Sequence, residues 1–138
     1  MDLSKLTSNE RTAVVLSAII VVTGIISIAN EWGALMFLAI LAGLLVLAGI
    51  LLPQASPSTN LPASTGVIIL GGGVVAAVAF LITAVDWIGW IGEHLATFDT
   101  LQFLVGLVAS LVLVWVGWRA YSQAGSAASA PPPPKPPA

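Results

Sequence analysis

The chain has no cysteine, a single histidine and, in 138 residues, only four basic and six acidic side chains. Without thiols there is no disulfide framework, no thiolate metal site and no cysteine to carry a lipid. Four cations in total exclude a nucleic-acid surface, because phosphate recognition draws on clustered Lys and Arg. One histidine supports neither bis-imidazole ligation nor a catalytic pair. Charge is scarce, at 7% of residues, and where it is missing says more than how little there is. No charged residue lies between Arg11 and Glu31, between Glu31 and Asp86, or between Asp99 and Arg119. A charge at the bilayer centre costs at least ~2.5 kcal/mol, so these gaps describe segments suited to lipid.

What fills the gaps is apolar: 58% of the residues are hydrophobic, and the mean hydropathy is +1.04. A helix that crosses the hydrocarbon core takes about 20 apolar residues, and four runs qualify, at 12–29, 33–52, 65–85 and 101–118. Ile19, Ile20, Val21, Val22, Val74 and Val75 would favour strands in water. In lipid each segment must satisfy its own backbone, and the alternating polarity of a barrel is absent. The expected fold is an all-α membrane protein whose four transmembrane helices form two antiparallel hairpins in a bundle. Residues 1–11 lead into the membrane domain at 12–118, and 119–138 follow as a disordered, Pro-rich tail. Lys5, Arg11 and Ser27-Ile28-Ala29 give the first run some likeness to a signal peptide. Its length exceeds the roughly 7–15 residues of a signal's apolar core, which favours a span.

The punctuation fits this division. Thr7-Ser8-Asn9-Glu10 reads as a capping box for the first helix, and Asn30-Glu31-Trp32-Gly33 as a turn short enough to force a hairpin. Pro53, Pro57 and Pro62 mark 53–64 as a solvated connector that ends the second helix. In 86–100, Trp87, Ile88, Trp90, Ile91, Leu95 and Phe98 fall on one side of a short helix and leave Glu93, His94 and Asp99 to water, the pattern of an interfacial segment. Lys5, Arg11, Arg119 and Lys135 share the side of both termini, while the opposite loops hold Glu31, Asp86, Glu93 and Asp99. The positive-inside rule therefore places both termini in the cytoplasm. Trp32, Trp87 and Trp90 are then expected as anchors at the outer interface, and Trp115, Trp118 and Tyr121 at the inner one.

Aligning the second run with the fourth pairs Leu35, Phe37, Leu38, Leu41, Leu45, Val46 and Leu47 with Leu101, Phe103, Leu104, Leu107, Leu111, Val112 and Leu113. Glu31-Trp32 likewise matches Asp86-Trp87, which suggests two related hairpins. Ala39-xxx-Gly43, Gly72, Gly73-xxx-Ala77 and Gly106-xxx-Ser110 strip bulk from helix faces, so backbones can approach closely, either within the bundle or against a partner helix. Asp86, Glu93, His94 and Asp99 offer oxygen and nitrogen donors in no defined metal spacing, and solubilising a loop accounts for them as well. Ser110 lies in a span with no acid or base beside it, and no nucleophile–base pair is legible. No ionisable residue sits inside a span to couple transport.

With Leu-Thr-Ser-Asn-Glu-Arg at 6–11, four short spans, a Pro-containing connector and a polyproline stretch at 131–137, the chain resembles in layout small uncharacterised four-helix membrane proteins of bacteria. That resemblance carries no activity and no site residues. The small multidrug-resistance transporters differ, since they carry a glutamate in the first helix and 12–29 has no acid. The expectation is a non-enzymatic accessory or scaffold protein of the bacterial plasma membrane that associates through its small-residue faces. A small oligomeric channel or transporter is the alternative. The expected partners are the bilayer and other membrane proteins or further copies, with no cofactor and no metal.

Overall fold

Helix formation begins at Thr7, whose hydroxyl accepts the Glu10 amide at 3.2 Å. The same hydroxyl donates to the Glu10 carboxylate at 3.1 Å. Only half of the expected capping box is therefore formed, because the carboxylate takes the hydroxyl and not the Thr7 amide. The computed structural model describes residues 6–55 and 64–129 and, among them, contains only helices and their connections. They are α1 (Ser8–Ala29), α2 (Met36–Ala55), α3 (Thr65–Asp86), α4 (Ile88–Glu93) and α5 (Phe98–Ser129). Four of them, all but α4, are long and apolar enough to cross a membrane. The protein is a multi-pass membrane protein by that measure. Ser64 caps α3 by accepting the Val67 amide at 3.3 Å, and Thr97 caps α5 by accepting the Thr100 amide at 3.4 Å.

Each long helix touches two others: α1 packs on α2 and α5, and α3 packs on α2 and α5. The buried positions of α1 include Ala13, Ser17, Ile20, Gly24 and Ser27, spaced alternately by four and three residues, the period at which one helix face stays against its neighbours. Phe80, Phe103, Ile20, Met36, Ile69, Leu113 and Val46 fill the interior and are fully buried. Val15, Val22, Leu41, Leu45, Val78, Leu81, Val105 and Val108 point outward. The outer surface is thus as apolar as the core, and the buried polar groups (Ser17, Thr23, Ser27, Thr83, Thr100, Gln102 and Ser110) face inward. Water would penalise that distribution; lipid requires it.

Several boundaries differ from the sequence reading. The second helix starts at Met36, not at residue 33, and runs through Pro53 to Ala55. Proline removes one donor and costs about 3 kcal/mol in a helix interior. Here it sits in the last turn, where a single bond to the Gly49 carbonyl is at stake. The fourth span begins three residues early and continues as helix to Ser129, so 119–129 belong to α5 and not to a disordered tail. The interfacial segment is divided between α4, a turn at 94–97 and the first turn of α5. Residues 1–5, Pro57, Pro62 and the polyproline stretch lie outside the described residues. The proposed repeat does not extend to environments: Phe37 is 58% exposed where its counterpart Phe103 is 0%, and Val46 is buried where Val112 is exposed. The two helices present faces about one residue apart in phase.

Candidate functional site

The small residues singled out from the sequence all lie inside the packed helices. Ala39 and Ser110 are fully buried, and Ala77 is nearly so. A Cβ on Gly43 would stand 2.7 Å from Val21 Cγ2 and 3.1 Å from the Ser17 carbonyl oxygen. On Gly73 it would meet the backbone of α5 itself, 2.9 Å from Val114 N and 3.1 Å from the Leu113 carbonyl carbon. Gly72 lies against Val46 and Ala42, and Gly106 against Thr23 and Phe80. Gly117, not singled out beforehand, is tighter still, with its Cβ position 2.5 Å from Leu70 Cα. These residues hold the chain's own helices together. Gly71 is different, with open space where its Cβ would be.

At the end where α1 turns into α2, an aromatic cap closes the assembly. Glu31 adopts φ 61°, and its amide bonds to the Ile28 carbonyl at 3.0 Å while the Trp32 amide bonds to Ser27 at 2.9 Å. This is a Schellman closure, with glutamate where glycine usually stands. It folds Trp32 back over the helix ends, where the residue is only 4% exposed. The indole stacks on Phe103 at 4.4 Å and 6° and meets Trp90 edge-on at 5.3 Å. Trp87 lies 5.5 Å away, and its Nε1 donates to the Trp32 carbonyl at 2.9 Å. Trp32 is therefore a core residue and not an interfacial anchor, and Trp87 and Trp90 are half-buried partners in the same cluster. Ile91 is buried with them, whereas Ile88, Leu95 and Phe98 stay exposed.

No protein-family model, curated protein or solved structure matches the chain.

Beside the cap, polar pairs bridge the end of α1 and the start of α5. Asn30 Nδ2 donates to Asp99 Oδ1 at 2.9 Å, and one turn deeper Gln102 Nε2 donates to Ser27 Oγ at 3.2 Å and to the Asp99 carbonyl at 3.0 Å. Gln102 is the residue that sequence reasoning passed over; its signal was an amide inside Leu101-Gln102-Phe103-Leu104. The acidic loop does not converge. His94 stacks on Trp90 at 4.3 Å and its Nδ1 faces the Trp90 carbonyl at 2.9 Å, while Asp99 is engaged with Asn30. Among the described residues, no three His, Asp or Glu side chains come together to hold a metal ion. Ser110 Oγ donates to the Leu107 carbonyl at 2.7 Å, the usual resting bond of a hydroxyl in an apolar helix.

At the opposite end, α1, α3 and α5 leave a crevice of about 470 Å³ whose lining includes Ser8, Asn9, Glu10, Thr65, Arg119 and Gln123. Asn9 Nδ2 donates to Gln123 Oε1 at 3.1 Å. Trp115 and Trp118 flank this end, 57% and 56% exposed, and the Arg119 guanidinium lies 4.8 Å from the Trp115 ring centre.

Proposed function

We propose that the chain is a non-enzymatic accessory or scaffold protein of the bacterial plasma membrane, with both termini cytoplasmic and its long helices paired as two antiparallel hairpins, α1–α2 and α3–α5. The contact order supports the pairing: Gly24 faces Met36 and Ile40 while Gly43 faces Ser17 and Val21, and Gly66 faces Tyr121 while Gly73 faces Val114. In both pairs one helix ascends as the other descends. The split of basic and acidic residues supports the orientation.

The observation that carries the reading is the filled interior. Among the described residues every buried polar side chain is uncharged, and the space between helices is taken by Phe80, Phe103, Met36, Ile69 and Leu113. A path for protons or charged substrates through one subunit would draw on ionisable groups along it. Because the small residues within the assembly are used up by its own packing, a partner helix would meet the lipid-facing surface, where Gly71 is open. Extraction in mild detergent followed by copurification tests the role. Foreign subunits at fixed stoichiometry support a scaffold, whereas a lone symmetric oligomer that conducts ions in vesicles overturns it in favour of a channel.

A further inference from the structure

We propose that the crevice between α1, α3 and α5 binds the headgroup of an aminophospholipid, with the phosphate on Arg119 and the ammonium on Glu10. Among the described residues, the recess of about 470 Å³ is lined by one cation and one anion together with neutral polar and apolar groups, at the level where the apolar spans end. Arg119 lines it with its guanidinium folded onto Trp115, and Trp118 and Tyr121 are exposed on the same helix. Aromatic side chains of this kind settle at the headgroup level of a bilayer, so the phosphate layer that the guanidinium meets at this depth is the leaflet's own. The guanidinium is planar and matches phosphate oxygens with paired donors.

Glu10 fixes which headgroup fits. A purely anionic lipid would bring its charge against the carboxylate, whereas a primary ammonium supplies N–H donors to it. The trimethylammonium of a choline lipid has no N–H to give. Ser8, Thr65 and Gln123 add neutral polar groups on the same walls. The crevice therefore offers a cation to a phosphate and a carboxylate to a primary amine on the same ligand. This inference needs only that the helices span a bilayer; it is independent of the scaffold role.

The test is the thermal midpoint of the full-length protein in mild detergent, titrated with phosphatidylethanolamine, phosphatidylcholine, phosphatidylglycerol or soluble glycerophosphoethanolamine. A ligand bound only by the folded state raises the midpoint. The ethanolamine lipid is expected to raise it most, with the response lost in Arg119→Gln and retained in Arg119→Lys. In Glu10→Gln the amide oxygen still accepts the Thr7 hydroxyl, so the helix cap survives; the ethanolamine response should then fall to the choline level. Should Arg119→Gln fail to fold, Glu10→Gln decides. Equal shifts from all three lipids, or an ethanolamine preference that survives Glu10→Gln, would overturn the proposal. An equal shift from the soluble headgroup would overturn the membrane lipid as the source.

Discussion

Two glycines in one helix, two residues apart, should respond oppositely to the same substitution. Gly71 and Gly73 both lie in α3, but a methyl on Gly71 meets nothing within 4 Å, while one on Gly73 falls 2.9 to 3.2 Å from backbone atoms of Leu113 and Val114. Main chain cannot swing aside as a side chain can, so α3 and α5 must separate by several tenths of an ångström along their shared seam. Overpacking of this kind costs about 1–3 kcal/mol. Replacing glycine by alanine in a helix gains up to ~1 kcal/mol from backbone entropy. In a detergent-unfolded state that keeps helix the gain is smaller, but it is nearly common to both sites and cancels in their difference. Gly71→Ala should therefore be neutral or stabilising, and Gly73→Ala should lie below it by about 1–3 kcal/mol. Denaturant titration in detergent micelles, read by tryptophan fluorescence, measures both. Equal midpoints, or Gly73→Ala the more stable, would refute the close α3–α5 contact.

The aromatic cap predicts a second contrast: Trp32→Ala should cost about 3 kcal/mol or more, as large-to-small changes do in a packed site, and Trp118→Ala well under ~1 kcal/mol, with both measured by the same titration. At the turn, Glu31→Gly should raise stability by about 1 kcal/mol, because a non-glycine residue held at positive φ costs roughly 1–2 kcal/mol; a loss of stability would show that the Glu31 side chain has a role of its own.

The spans were legible because lipid punishes charge, and the gaps between Arg11, Glu31, Asp86, Asp99 and Arg119 mark all four long helices. Their ends were less so. The stretch after Arg119 lost its apolar run, and hydropathy cannot see that residues such as Ala120 and Gln123 remain good helix formers. Small residues were recognisable as packing positions, yet which neighbour each meets depends on the register between helices, and nothing local encodes it. Tryptophan near a span end usually stands in the interface, so the sequence points to Trp32 as an anchor; the positive φ at Glu31, which turns the Trp32 ring inward, has no signature in a glutamate. Gln102 was hidden by its apolar neighbours. The crevice at Arg119 joins residues from three helices more than fifty positions apart and could only be found in three dimensions.

The most direct test of the account is topology. The protein lacks cysteine, so single cysteines at Ser8, Glu31, Thr97 and Gln123 report without background when intact cells are treated with an impermeant thiol reagent. Labelling is expected at Glu31 and Thr97 from outside, and at Ser8 and Gln123 only after the membrane is permeabilised. Labelling of Ser8 or Gln123 in intact cells, or protection of Glu31 and Thr97, would contradict a four-span protein with both termini in the cytoplasm.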